Sequence, residues 1–275
     1  MFLKVWVYLA QLSIFFLMEV KITMLKAIKY IKPIKTGRSL PHILECNDGK
    51  QYVVKFDYNE RASKRLAHEF IAYKLAKYLG LPIAEGQIIY LGTEVTEIIK
   101  PDNINLGPHF GCVYYKNAQS TNKELIQKCI NLNEMPGVIV FDHWVHNDRA
   151  GYNDNLIIDE GEQYNKLYMI DQGGSFYSSK RNSKTLRESA EDMEVYWGEL
   201  YQVFKPFLQE KNLFYKYIKA IEEFPDKEIK KIVYSTPPEW ESDHNELDAI
   251  VDYLIIRKKK VKEPIRKILK MHLNQ

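Results

Sequence analysis

The sequence predicts an α+β chain of two lobes, an N-terminal antiparallel sheet with one helix followed by a mainly helical half. Three observations carry that prediction. Short apolar runs broken by Gly, Asn, Asp and Pro fill the stretch up to residue 117, as strands and their turns do. From Thr121 onward the apolar residues return at helical spacing. The chain is 275 residues long, enough to bury a full core and to divide into two lobes around one cleft. The expected divisions are an extension over residues 1–23, a first lobe over 24–117 and a second over 118–275.

Val5 to Met18 is apolar apart from Gln11 and Ser13, with Lys4 before it. That run is short for a membrane span, and no small-residue cleavage site follows it. Met24 opens a basic, regular segment and reads as the natural start of the domain. Residues 1–23 are therefore expected to be a dispensable extension or the product of an upstream start; a membrane anchor, giving membrane contact through them, is the alternative.

Leu25 to Lys35 alternates as a strand. Thr36-Gly37-Arg38-Ser39 is a polar turn whose amides, beside lysines, suit a phosphate, although an ordinary turn reads equally from Gly37 and Ser39. His42 to Cys46 and Gln51 to Phe56 form a hairpin closed at Asp48-Gly49. Lys55 lies in the second of these strands, where a charge is costly unless it meets a partner. The helix expected over residues 60–79, ended by Gly80 and Pro82, supplies one: Glu69 has Leu66, Ala72, Tyr73 and Ala76 as its face neighbours. Gln87 to Leu91 and Glu94 to Ile99 read as strands, Pro101 to Pro108 as a loop, and Gly111 to Tyr115 as a last strand before the crossing to the helical half. There, helices are expected over Thr121 to Asn131, from Pro136 onward, over Leu186 to Phe204, Leu213 to Phe224 and Asp226 to Tyr234, and in a long segment from Asp243 to Leu273. Arg257-Lys258-Lys259-Lys260 near its end reads as a solvated basic face.

The stretch around which these elements are organised is FDHWVHNDRAGYNDNLIIDEGEQYNKLYMIDQGGSF, residues 141–176. Asp148 is followed by Asn153, and an apolar run ending at Ile170 delivers Asp171 into Gly173-Gly174. A loop carboxylate, a loop amide and a carboxylate at a strand end are the parts needed to hold magnesium-bound ATP and an acceptor hydroxyl. Magnesium keeps several waters and takes one or two carboxylates beside the nucleotide phosphates, so Asp171 and Asn153 suffice as the protein's share. Asp148 would then orient the hydroxyl and accept its proton. Asn155 competes with Asn153 for the amide role. Lys55, paired with Glu69, would aim its ammonium at the phosphates.

Composition narrows the rest. A formal net charge of +3 gives no argument for nucleic acid, and no direct nucleic-acid binding is expected. Cys46, Cys112 and Cys129 lack metal spacing and read as buried apolar residues of a cytoplasmic protein.

The segments LKAIKYIKPIKTGRSLPHILEC, DGKQYVVKF, HEFIAYKLAKYLGLP, HFGCVYYKNA, FDHWVHNDRAGYNDNLII and LYMIDQGGSF together resemble the HipA-like kinases, specifically their short bacterial members, over about Met24 to Trp240. The resemblance implies a two-lobed protein-kinase-like fold and ATP-dependent phosphorylation of a protein Ser or Thr. By motif match it implies Lys55 as the nucleotide-phosphate lysine, Glu69 as its partner, Asp148 as the catalytic aspartate, and Asn153 and Asp171 as metal ligands. The chain departs from many relatives at Ala150, where they carry histidine, and in its sparse glycine loop. The antitoxin and DNA partnership of the long toxin form is not carried over.

Three other readings fit parts of the same residues. An aminoglycoside-type phosphotransferase would use the same loop on a small aminated substrate. A nucleotide-binding pseudokinase or scaffold would bind without turnover. A metal phosphohydrolase would use Asp142, His143, His146 and Asp148 as ligands.

Overall fold

The computed structural model describes residues 24–34, 41–56, 60–98, 104–147, 155–176, 182–240 and 243–273. Five antiparallel strands in the order β1-β2-β3-β5-β4 make the first lobe: β1 Ala27–Pro33, β2 His42–Cys46, β3 Gln51–Val54, β4 Gly86–Leu91 and β5 Gly107–Val113. Turn chemistry sets the β2–β3 register. Gly49 takes φ +77°, a conformation that a residue without Cβ adopts at no steric cost. Its N–H donates to the Cys46 carbonyl at 2.9 Å, and Leu44 then faces Tyr52. The edge strand β1 carries exposed Lys29 and Lys32, charges that discourage edge-to-edge pairing.

Helix α1, Glu60–Tyr78, belongs to both halves. Leu66, Ala67 and Phe70 pack with Phe110 of the sheet and Trp240, whereas Ile71, Ala72, Leu75 and Ala76 join the large core of the helical half. Gly80 at φ +66° ends it, the Leu81 N–H returning to the Ala76 carbonyl at 3.0 Å, and Pro82 cannot continue the helix.

A second sheet, β6-β7-β8, joins β6 Ala118–Ser120 to the hairpin of β7 Leu156–Glu160 and β8 Asn165–Met169. The outer edge of β8 is taken by the chain after α1: the Met169 N–H donates to the Pro82 carbonyl at 2.6 Å and the Ala84 N–H to the Met169 carbonyl at 3.0 Å. After a short helix α3, Lys123–Gln127, helix α4 covers Met135–Val145 with every residue buried. Burying aliphatic and aromatic side chains is worth about 1.5–3 kcal/mol each, so α4 anchors this half. The remaining helices are α5 Ser183–Glu188, α6 Glu199–Phe204, α7 Lys211–Glu222, α8 Asp226–Val233, α9 His244–Lys258 and α10 Lys262–His272.

Several local expectations are corrected. The expected strand from Glu94 is absent among the described residues up to Ile98; a helical turn α2, Thr93–Thr96, follows Gly92 and buries Val95 alone while Glu94 and Glu97 face solvent. The Thr121–Asn131 helix is confined to α3. Leu186 to Phe204 splits into α5 and α6, because the carbonyl of Asp192 between them accepts from Arg257 Nη1 at 2.6 Å instead of a helical partner. The long last helix breaks into α9 and α10, Pro264 standing in the first turn of α10 where its missing N–H is tolerated. Arg257 and Lys258 are buried, 1 % and 8 % exposed, so this part of the basic run is no solvated face. Among the described residues no helix is long and apolar enough to cross a membrane.

Candidate active site

Lys55 follows β3 immediately, its N–H held by the Phe110 carbonyl of β5 at 3.4 Å. Its side chain leaves the sheet toward α1 and the end of β8. There Nζ donates to Glu69 Oε2 at 2.7 Å and to Asp171 Oδ1 at 2.6 Å. Glu69 is almost wholly buried, whereas the Asp171 side chain is 29 % exposed. Burial opposes the charge on Lys55, but the carboxylates of Asp171 and Glu69 outweigh it and hold its pKa above the ordinary lysine range. The ammonium is therefore permanent at physiological pH. Cys112 lies in the same electrostatic field, and its thiol is pushed up, chiefly by burial and then by Glu69, which leaves it an unreactive neutral group.

Asp171 takes φ +53°, a left-handed conformation that costs a non-glycine residue about 1–2 kcal/mol and that recurs where function fixes the backbone. The chain after it runs along α1: a Cβ placed on Gly173 would lie 3.4 Å from Glu69 Oε2. It then turns back to α4, the Phe176 N–H donating to the Val145 carbonyl at 2.7 Å. Across the β7–β8 hairpin, the Ile170 N–H donates to the Asn155 carbonyl at 3.0 Å, which sets Asn155 beside the residue preceding Asp171. Asn155 is 1 % exposed, and both its Oδ1 and Nδ2 lack a hydrogen-bond partner. A buried amide in that state is destabilising unless something further engages it. An oxygen-loving cation beside Asp171 is such a partner, and a carboxylate with an amide oxygen is the donor set magnesium accepts.

The end of α4 prepares the loop that carries Asp148. His146 adopts φ +54°, its Nδ1 facing the Tyr253 hydroxyl at 3.1 Å. Arg257 of α9 donates from Nε to the Trp144 carbonyl at 2.8 Å and from Nη2 to the His143 carbonyl at 2.6 Å, capping orphan carbonyls of the helix. Asn147 Nδ2 donates to Gln172 Oε1 at 2.9 Å.

Of the residues singled out by sequence, Lys55, Glu69 and Asp171 are thus brought into direct contact, and Asn155 sits next to them along the chain pairing. Asp148, Asn153, Gly37 and Ser39 lie outside the described residues. Asn147 and Gln172 have no role in the sequence reading, although they stand inside the quoted motifs next to the aspartates, and that adjacency is the signal available; Arg257 reads there only as part of a solvated basic face. Of the hydrolase constellation, the described members Asp142, His143 and His146 are not assembled as a metal site. Tyr201 donates to Asp142 Oδ2 at 2.6 Å, and burial keeps this carboxyl protonated well above the usual range. The His143 ring, stacked on Tyr196 with centroids 4.0 Å apart, is lowered to about 4, first by burial. Among the described residues no group of three His, Cys, Asp or Glu side chains could hold a metal ion.

The crystal structure of a Helicobacter pylori proinflammatory kinase, CtkA, is similar to this fold with a TM-score of 0.55 and 14 % identity, covering 87 % of this chain and 95 % of that one. HipA in a complex with HipB and operator DNA from Shewanella oneidensis MR-1 gives a TM-score of 0.47 and 13 % identity, over 89 % of this chain and 74 % of that one. The Golgi casein kinase gives 0.47 and 8 %, over 89 % and 74 %. No curated protein sequence matches the chain. The HipA-like kinase family model matches residues 27–267, most of the chain, which therefore belongs to the HipA-like kinases and to their kinase type of phosphotransferase.

Proposed function

We propose that this kinase transfers the γ-phosphate of Mg-ATP to a hydroxyl, most simply that of a Ser or Thr on a protein substrate, from a cleft between lobes 24–117 and 118–275 in a cytoplasmic setting, without direct contact to nucleic acid. The observation that carries the reading is the Lys55 ammonium bridged to Glu69 at 2.7 Å and to Asp171 at 2.6 Å. An ammonium has three donors; two serve these carboxylates, and the third is left for a phosphate oxygen. Glu69, buried on α1, fixes the direction of the side chain. Asp171 and the unpartnered amide of Asn155 would hold the magnesium ion, which supplies charge neutralisation at the phosphates. We assign the amide role to Asn155 in preference to Asn153 because burial without a hydrogen bond is what an awaiting ligand requires. Asp148, one residue beyond the Asn147 anchor, would orient the acceptor hydroxyl and take its proton. Gly37 and Ser39, which fall between β1 and β2 in the sequence, would cover the phosphates.

The test is incubation of purified protein with magnesium and labelled ATP, alone, with candidate proteins and with aminated small molecules. Label on protein that disappears in Asp148→Asn and in Asp171→Ala supports the reading, with ATP affinity lost in Asp171→Ala and kept in Asp148→Asn. Label on an aminated small molecule alone replaces the protein substrate. ATP binding with no transfer to any acceptor refutes catalysis and leaves a nucleotide-binding scaffold. Asn155→Ala should lower activity more than Asn153→Ala; the reverse order would return the amide role to Asn153.

A further inference from the structure

Asn147 and Gln172 are 0 % and 2 % exposed, yet each carries two polar amide ends. Gln172 Nε2 donates to the Ile170 carbonyl at 3.1 Å. A carbonyl only accepts, so Gln172 must turn its Oε1 the other way, and Asn147 must meet it with Nδ2, at 2.9 Å. The orientation of both amides is thereby fixed by the backbone of the β8 end. It leaves Asn147 Oδ1 buried without a hydrogen bond. A matched apolar pair at these positions would bury nothing unsatisfied, and replacing both hydrogen-bonding partners by apolar groups of similar shape is close to neutral or stabilising. Stability therefore does not explain the pair.

Position along the chain does. Asn147 precedes Asp148 directly, and Gln172 follows Asp171 directly. Among the described residues the segments also share the backbone bond from Phe176 to Val145, which lies on the far side of each from the aspartates. We propose that the Asn147–Gln172 amide bridge is a positioning element, holding the backbone that bears Asp148 in register with the backbone that bears Asp171. This rests on the phosphotransfer reading above, and its chemistry is a matter of distance: a displacement of about 1 Å between reacting groups lowers rate on the order of 100-fold.

The experiment uses the full chain with Gln172→Met, Asn147→Leu and the double variant, reading magnesium-ATP turnover, ATP affinity with and without magnesium, and urea unfolding. Expected are an unfolding midpoint of the double variant at or above that of the unaltered protein, lower midpoints for the single variants, each of which leaves a buried amide group unmet, metal-free ATP affinity within about twofold, and kcat lower by about 10- to 100-fold, with the double variant no worse than either single one. A purely structural role would instead lower the midpoint of the double variant and leave the kcat of the folded fraction unchanged in every variant. Turnover within about threefold of the unaltered protein in either folded variant, or losses that multiply in the double variant, overturns the bridge. Should the unaltered protein bind ATP but transfer nothing, the phosphotransfer reading fails separately. The bridge is then decided by the gain in ATP affinity on adding magnesium: its loss in both variants supports the bridge and its retention overturns it. Where one single variant does not fold, the other decides, and Gln172→Asn, which keeps an amide, should retain more turnover than Gln172→Met.

Discussion

Replacing Arg257 by methionine separates a buried clamp from a solvated charge. Its guanidinium donates to the carbonyls of Trp144 at 2.8 Å, His143 at 2.6 Å and Asp192 at 2.6 Å, and lies over the Tyr253 ring, 5.0 Å from its centroid. Methionine refills much of the volume but no donor. A hydrogen bond to a charged group contributes about 1.5–3 kcal/mol, and a buried acceptor left unmet costs about 1–3 kcal/mol. Water reaching the Asp192 side offsets part of this, so a net loss of about 3–5 kcal/mol is expected, the range for opening a buried charged network. At about 2–4 °C per kcal/mol for a chain of this size, the melting temperature should fall by roughly 6–20 °C. Urea unfolding followed by tryptophan fluorescence is a suitable assay, since Trp144 adjoins the clamp. Arg257→Lys, which keeps the charge but not the planar fork, should lose a large part of the same stability. A change within about 0.5 kcal/mol, the usual size for an exposed substitution, would refute the clamp and restore the solvated face suggested by the run Arg257–Lys260.

Two further outcomes follow from the core. Asp142 keeps its proton in the folded chain through burial, while the unfolded chain releases it above about pH 4; stability should therefore fall as pH rises from there toward the raised folded value. Asp142→Asn, which still accepts from Tyr201, removes that slope, and unfolding at pH 5 and pH 8 should show the variant gaining on the unaltered protein at the higher pH; a parallel dependence in both proteins contradicts this. Gly137 of α4 leaves no room for a methyl, since its Cβ would stand 2.6 Å from Tyr217 Cζ and 2.7 Å from Leu81 Cδ2. Gly137→Ala should cost about 1–3 kcal/mol by overpacking despite its better helix propensity, and a more stable variant in urea would show that the contact relaxes freely.

What was legible in the sequence was local. Lys55 could be read because a charge in an apolar strand demands a partner, and Glu69 because it interrupts an apolar helix face one element later. Asp171 could be read because an apolar run stops at it and glycines follow. Glu94 to Ile99 misled because a few alternating residues fit a strand and a helical turn alike, and only the burial of Val95 separates them. The pair Asn153 and Asn155 stayed open for a similar reason: two amides of one type, two positions apart, look alike in sequence, and of the two only Asn155 lies among the described residues, buried beside Ile170. Arg257 could not be read at all. Its partners stand 113, 114 and 65 residues away, and a basic run at a helix end looks the same whether water or distant carbonyls receive it.

The separation between Lys55 and Asp171 belongs to neither lobe alone, and this explains where the chain places its strongest contacts across the divide. Lys55 is carried by the sheet, Asp171 by the end of β8, 116 residues later. The connection of residues 114–117 between β5 and β6 would by itself permit a hinge. Three further ties remove most of that freedom: α1 packs into both cores, Met169 exchanges backbone hydrogen bonds with Pro82 and Ala84, and the Trp240 indole donates to the Pro108 carbonyl of β5 at 2.7 Å while its ring meets Phe70 edge to face at 5.7 Å. The Met169 tie acts two residues before Asp171. The Trp240 tie and the Phe110 carbonyl that holds the Lys55 N–H lie two residues apart on the same strand. Each charged end of the ion pair is thus fixed close to its own cross-lobe contact, so that a shift of one lobe large enough to part Lys55 from Asp171 must first break buried hydrogen bonds with little access to water. The 2.6 Å contact is in this sense a product of the whole chain, and its geometry is set before any nucleotide arrives.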